Sequence, residues 1–561
     1  MQKVWKVKEY NEEYIEYISK KYGISNILAK MLDFRGIDEQ SIELYLNGSL
    51  KDLKDPFIIK DMDKFTKRVK KAIDNHEKIC IYGDYDVDGI TSIVVMYQFL
   101  TGLGAEVIYY LPDRLIEGYG INNNAIDEIA KQDVKLMITV DCGITAINEV
   151  EHAKSLGIDV LITDHHECAE KLPEAYAIVN TKQKDDNFKF KMHAGVGIAF
   201  KCITALSKVY GLDKESYLKY LDIVAIGTIS DIVSLQDENR IISKYGLVEM
   251  KKTKNIGLKA LLNLINFKAM DSFMVSFGLA PRINACGRMG NASVAVKLLL
   301  EKDEAKAKEL ALLLDGMNVK RQQIEKEIFD DAIKIIEEEK LYNKNSLVLY
   351  GESWHNGVIG IVASRLVNIY YKPVILLTKE NGMIRGSGRC PMGFSLYDAL
   401  SECSESLIQF GGHELAAGLT IEEGKIKEFS DRFEEVALEY SDILSEQVLD
   451  IDLELELKDL NVQILKDINT LKPCGQCNPA PLFLYRNLKV QAIRTIKDDK
   501  HLKFVLKDSN KLIDAVAFSQ GNRRDEIKIG DKIDVVCSVD INTYNTPKTI
   551  ELIIQDFKKS V

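Results

Sequence analysis

From residue 78 onward the apolar positions fall into short unbroken runs, each ending in a polar cluster and alternating with stretches of helical spacing. The runs are 78–83 (KICIYG), 107–111 (VIYYL), 136–140 (LMITV) and 160–163 (VLIT); the helical stretches include 91–103, 146–156 and 197–210. Strands that are apolar without alternation are covered on both faces, so the pattern predicts an α/β unit on a parallel sheet. Ligands of such sheets bind beyond the carboxyl ends of the strands, where the polar clusters lie. Residues 302–341 hold no proline and one glycine, Gly316, and read as a long connecting helix broken near that glycine. A second, smaller α/β unit follows, with strands at 346–350, 373–378 and 383–388 and helices at 358–370 and 425–440. After residue 445 short β-rich runs (448–457, 488–496, 502–506, 513–518, 532–539) predict a small antiparallel barrel. The first sixty residues read as short helices and turns. The division expected is 1–60, 61–301, 302–341, 342–444 and 445–561.

Composition supports this reading. A chain of 561 residues with 46% hydrophobic and 28% charged positions can bury several cores. Its ten cysteines stand singly, apart from Cys474 and Cys477, which fits a reducing cytoplasm better than a disulfide framework. The N-terminus is charged throughout and lacks the apolar stretch of a secretory signal, and no run approaches the ~20 apolar residues of a membrane span. A net charge of -11 argues, taken alone, against a polyanionic partner.

The candidate chemistry sits at the strand ends. Asp84, Asp86 and Asp88 alternate after the first run, Asp141 follows ITV, Asp164-His165-His166-Glu167 follows LIT, and Asp231 closes the apolar segment before it. Each Asp could cap a following helix. Converging carboxylates repel one another unless a cation lies among them, and four such sites with paired histidines point to a divalent metal. Oxygen-rich ligation with one or two imidazoles suits Mn²⁺ or Mg²⁺ better than structural zinc. The number of carboxylates exceeds one ion's needs, so a two-metal site with a bridging carboxylate is expected.

GDYDVDG, TVDCG and TDHHE, in this order, resemble the DHH phosphoesterase superfamily. PRINACGR (281–288), WHNGVIGIVASR (354–365), GSGR (386–389) and GGHELAAG (411–418) narrow the resemblance to the RecJ family of single-strand-specific 5′-to-3′ DNA exonucleases. The resemblance implies a DHH catalytic domain, a DHHA1 domain and an OB-fold domain. It implies that Asp84, Asp86, Asp88, Asp141, His165 and Asp231 bind two divalent ions, Mn²⁺ or Mg²⁺, with Asp141 bridging. His166 would face the scissile phosphate and Asp164 would orient an imidazole. Arg282, Ser387 and Arg389 would hold a 5′-terminal phosphate, with the glycine-rich Gly411-Gly412 loop placing His413 near the phosphodiester. Arg282, Asn284 and Arg288 sit in a Gly-containing loop. Asn284, Arg288, His355 and Arg114 complete the substrate contacts; a helix cap is a nearly equal reading of His355, and a surface loop a comparable one of Arg114 and Tyr119. Gly195 and Gly197 suit tight helix packing or a phosphate cradle.

In the last segment eight basic residues (Arg486, Lys489, Arg494, Lys497, Lys500, Lys503, Lys507, Lys511) accompany Phe504 and Phe518, as in OB folds that hold single strands on aromatic platforms. Cys474-Gly-Gln-Cys477 stands where relatives carry Phe-Gly-x-Gly, and reads as a loop-turn substitution. The resemblance further implies a monomer releasing mononucleotides in recombination and repair, supplied with single-stranded DNA by a helicase and meeting a single-strand-binding protein, with no membrane. Two rivals share the fold: an enzyme for short oligoribonucleotides or cyclic dinucleotides, which has no need of the β-rich tail, and a non-enzymatic replication-factor relative, which would have lost its ligands.

Overall fold

The computed structural model describes residues 3–560 except 113–116, 119, 267–268, 445, 510 and 543–548; the expectations for Arg114 and Tyr119 lie outside the described residues. The first sheet is parallel throughout, in the order Val107–Tyr110, Lys78–Gly83, Val134–Val140, Asp159–Thr163, Ala177–Val179. The short fifth strand, Ala177–Val179, follows a turn-rich stretch and is an addition to the four read from the pattern. The helix Val87–Gly102 is buried on nearly every side because it lies between this sheet and the helices Gly195–Val209 and Leu221–Ser230. That position explains why its sequence is apolar all round rather than amphipathic.

The helix Glu304–Glu338 runs 35 residues without a break. A helical glycine costs about 1 kcal/mol relative to alanine, too little to outweigh two cores. Ala307, Ala311 and Leu314 enter the core of the first unit; Ile328, Ala332 and Ile336 enter that of the second. The second unit carries a sheet ordered Leu407–Gly412, Ala416–Ile421, Met383–Arg389, Val374–Glu380, Leu347–Tyr350, parallel only in its last pair.

The C-terminal strands Phe483–Ile496, His501–Asp508, Lys511–Ala517, Thr549–Lys559 and Lys532–Asn542 close into a barrel through pairing of the first with the last. The barrel is not wholly antiparallel. A closed ring with an odd number of strands cannot alternate direction throughout, and the parallel pair is Asp514–Val516 against Glu551–Ile553. The N-terminal segment also departs from the all-helical expectation. Val4–Val7 is a strand pairing in parallel with Val448–Ile451, and the helices Glu12–Tyr22, Asn26–Phe34 and Glu39–Asn47 share the barrel's hydrophobic core. Buried Arg35 fastens the two ends of the chain, with Nη1 2.7 Å from Asp452 Oδ1 and Nη2 donating to the Pro479 carbonyl.

Candidate metal centre

Three strand ends and one helix end meet at one point. Asp86 caps the helix Val87–Gly102, its Oδ1 accepting from the Asp88 and Gly89 amides at 2.9 and 3.0 Å. The helix-cap reading therefore holds for this residue, yet the same carboxylate lies with those of Asp84 and Asp141 inside 4.8 Å. Asp88 turns inward and accepts from the Gly195 and Val196 amides at 2.6 and 2.8 Å. Gly195 thus cradles a carboxylate of the site itself, and a Cβ there would stand 2.6 Å from that of Asp141. Asp141 sits at φ +60, a left-handed conformation rare outside glycine and tolerated best by Asn and Asp. Asp231 ends the helix Leu221–Ser230.

His165 is the hub. Its Nε2 lies 3.1 Å from Asp141 Oδ1, 3.7 Å from Asp231 Oδ2 and 3.8 Å from Asp88 Oδ2. Burial, then the neighbouring His166, push its pKa down to about 3, so the imidazole is neutral and offers a lone pair. Burial and mutual repulsion push Asp88 up to about 7 and Asp231 up to about 9, and hold Asp141 well above the usual carboxylate range. Asp141 Oδ1, His165 Nε2 and Asp231 Oδ2 are buried without a hydrogen-bond partner. Orphaned oxygens and a neutral imidazole nitrogen aimed at one another are the donor set of a divalent cation. Three sets of ligand atoms cluster here, Asp84-Asp86-Asp141, Asp88-His165-Asp231 and Asp141-His165-His166, enough to hold two ions. Asp164 has no role as ligand: Oδ1 accepts from the His165 and His166 amides and from His166 Nδ1 (2.7 Å), and Oδ2 from the Ile144 amide. The imidazole it orients is that of His166. Although burial opposes the imidazolium, the hydrogen bond that His166 donates to Asp164 and the charge of that carboxylate hold His166 above its ordinary pKa.

PRINACGR forms the helix Ala280–Arg288, not a loop. Pro281 suits a first helical turn, and Gly287 is bare because a Cβ would press on the Tyr85 carbonyl. Asn284 Oδ1 accepts from the Val87 amide, so it braces the aspartate motif. Arg282 is paired with an acid from far along the chain: Nε lies 2.8 Å from Asp315 Oδ1, and Nη1 donates to the Gly278 carbonyl. Arg288 reaches the second unit instead, donating to the Gly357 carbonyl. Beside it His355 caps the helix Asn356–Tyr370, its Nδ1 accepting from the Gly357 amide. Ser387 and Arg389, two apart on one strand face, lie over Gly360, where a Cβ would meet both side chains. Arg288, His355, Ser387 and Arg389 therefore surround one helix N-terminus, a setting that favours an anion. Gly411 and Gly412 end the strand Leu407–Gly412; Gly412 sits at φ +154, and a Cβ there would strike the Ala416 carbonyl. His413, exposed, lines a cavity of about 430 Å³ with Ser395, Tyr397, Asp398, Gly412 and Glu414.

On the barrel, Phe504 is no platform: it is fully buried, edge-on to Phe557. Phe518 is 52% exposed and packs on His501. Arg486, Lys503 and Lys511 are tied to Glu454, to Asp514, and to the Leu457 and Leu460 carbonyls. Strand register reveals a residue beyond the predicted basic run. Lys489 stands directly opposite Lys507 on one side and Lys532 on the other. Like charges facing across strands are unfavourable unless an anion joins them. A second feature lay outside the sequence reading: Phe273 and Phe277, 59% and 64% exposed, lie with centroids 4.5 Å apart and ring planes tilted by 34° on the segment leading into Arg282. Their i, i+4 spacing was the available signal.

Comparison with known proteins agrees with this geometry. Family models match at 78–228 (DHH family, N-terminal domain), 343–439 (DHHA1 domain) and 451–556 (RecJ OB domain). The chain is 39% identical to the single-stranded-DNA-specific exonuclease RecJ of Bacillus subtilis, over 98% of this chain and 70% of that protein. It is 32% identical to that of Escherichia coli, over 94% and 95%. Crystal structures of Thermus thermophilus RecJ with Mn²⁺ and with Mg²⁺ superpose with TM-scores of 0.86 and 0.79, at 27% and 26% identity, each covering 99% of this chain and 80% and 78% of those chains. No helix among the described residues is long and apolar enough to cross a membrane. With DHH, DHHA1 and OB units in this order around one carboxylate and histidine centre, the chain belongs to the RecJ family of exonucleases.

Proposed function

We propose that the chain degrades single-stranded DNA from its 5′ end to mononucleotides by metal-dependent phosphodiester hydrolysis. The observation that carries the reading is the convergence of Asp88, Asp141 and Asp231 oxygens on the neutral His165. Asp88, His165 and Asp231 would hold one ion, Asp84 and Asp86 the other, and Asp141 both. Mn²⁺ or Mg²⁺ bound there supplies Lewis-acid polarisation of the phosphate and activation of the attacking water. His166, its charge held by Asp164, lies beside the centre to face the scissile phosphate. The 5′-terminal phosphate sits on the first turn of the helix Asn356–Tyr370 between Arg288, Ser387 and Arg389, where guanidinium groups bind bidentately; this pocket sets polarity. His413 borders the strand's path. Bases beyond the site stack on Phe273 and Phe277, and the Lys489-Lys507-Lys532 row takes phosphates further along. Duplex is rejected sterically. In the cell the enzyme works as a cytoplasmic monomer in recombination and repair, on strands opened by a helicase and covered by a single-strand-binding protein.

Strands labelled at the 5′ or the 3′ end, single or duplex, with Mn²⁺ or Mg²⁺, test the proposal. Labelled mononucleotide is expected at once from the 5′-labelled single strand and last from the 3′-labelled one. Equal cleavage of duplex, or activity on dinucleotides alone, contradicts it. The aromatic pair makes a separate claim. Base–aromatic stacking contributes about 1–3 kcal/mol per base, so Phe273→Ala with Phe277→Ala should raise KM about 10-fold with kcat little changed. A steady-state titration showing an unaltered KM removes these rings from the strand's path.

A further inference from the structure

The loop that carries Asp231 is strained and held from a distance. Ile232, next to Asp231, is β-branched, 71% exposed and at φ +60. A β-branched residue adopts that conformation only where surrounding structure imposes it. Three residues on, the loop is tied to the Cys474–Asn478 turn of the C-terminal half. The Leu235 amide donates to the Gln476 carbonyl at 2.9 Å, and Gln236 Nε2 donates to the Cys477 carbonyl at 2.9 Å and to the Arg35 carbonyl at 3.1 Å. Gly475 lies so close that a Cβ would stand 2.6 Å from Leu235 Cδ1. On the other flank Ser272 Oγ donates to the Cys474 carbonyl at 2.5 Å. One turn thus grips both the Asp231 loop and the segment leading to Arg282.

The turn is rigid enough to bear that load. Gly475 and Asn478 exchange backbone hydrogen bonds across it, and Cys477 occupies the left-handed region at φ +56. The buried Asn478 amide donates to the Leu471 and Pro473 carbonyls and accepts from the Tyr45 hydroxyl. Arg240, stacked 3.8 Å from the Tyr45 ring centroid, donates to the Tyr45, Thr470 and Leu471 carbonyls. N-terminal segment, catalytic unit and barrel are knotted at this spot.

We propose that the 474–478 turn is a latch that positions Asp231 for its metal ion, acting through Leu235 and Gln236. The inference rests on the reading of Asp231 as a ligand. Partners that orient metal ligands typically contribute 10–100-fold to metal affinity. Gln236→Ala, and independently Gly475→Ala, should weaken Mn²⁺ binding measured calorimetrically by about 10-fold, while metal-free binding of single-stranded DNA stays at the parent level. Combined with Asp231→Asn, neither should weaken it further. The latch is overturned if both variants bind Mn²⁺ within twofold of the parent while Asp231→Asn does not, or if their losses persist in the Asp231→Asn background. If Asp231→Asn itself leaves Mn²⁺ binding intact, the ligand assignment fails, and the latch with it.

Discussion

Asp141→Ala is expected to lower kcat on single-stranded DNA by about 10³-fold or more while metal-free strand binding is retained. Asp141 belongs to two of the candidate ligand groupings, so its removal weakens both ion sites together. Metal assistance to phosphoryl chemistry is worth several kcal/mol, and about 4 kcal/mol corresponds to roughly 10³-fold. The same change should raise the thermal stability of the metal-free protein. Asp141 repels Asp88, Asp86, Asp231 and Asp84 and is pressed against Gly195 in a left-handed backbone conformation. Alanine removes the repulsion, and that gain exceeds the small extra strain of alanine in the left-handed region. A more stable, strand-binding, inactive protein cannot be explained by misfolding. Calorimetry should show Mn²⁺ uptake reduced or lost. Turnover within tenfold of the parent in a single-turnover assay would sink the bridging assignment.

The metal centre was legible because strand ends impose it: polar residues immediately after apolar runs can only lie along one sheet edge, and Asp84, Asp141 and His165 do. What failed was long-range. Nothing near PRINACGR reveals that Asp315, on the connecting helix, neutralises Arg282, or that Arg288 reaches Gly357. Glycine and proline made that helix look like a loop, whereas Pro281 starts it and Gly287 clears the Tyr85 carbonyl. Phe504 is a different failure. Leu502, Phe504 and Leu506 are buried and point into the barrel, while Lys503, Val505 and Lys507 between and after them are only half-buried, so period-two spacing already assigned the ring to the core. The lysine row depends on register between three strands, and the pairing of Val4–Val7 with Val448–Ile451 joins segments that no local pattern relates.

Glu238→Ala is expected to destabilise the catalytic unit by about 3–5 kcal/mol, the usual result of breaking a buried ion pair from one side. Glu238 is fully buried and accepts from His193 Nε2 (2.8 Å), Lys201 Nζ (2.8 Å) and the Lys54 amide (2.5 Å). Burial alone would raise its pKa; the His193 hydrogen bond and the Lys201 charge outweigh burial and hold it down to about 2. A depressed carboxylate contributes stability above its unfolded pKa of about 4.3, and the contribution disappears as pH falls toward 2. The loss in Glu238→Ala should therefore be full at pH 7 and shrink below pH 4. The network also supports the metal centre, because the His193 loop leads directly into the Gly195 and Val196 amides that grip Asp88. Faster amide exchange is expected in the first turn of the helix Gly195–Val209. Adding Lys201→Met, which removes the buried cation left without its carboxylate and with only the Lys54 carbonyl to accept from it, should recover part of the loss, since much of it is the desolvated ammonium rather than the missing bond. Thermal unfolding of the parent, both single variants and the double variant checks this, and strictly additive losses would show that Glu238 and Lys201 do not depend on one another.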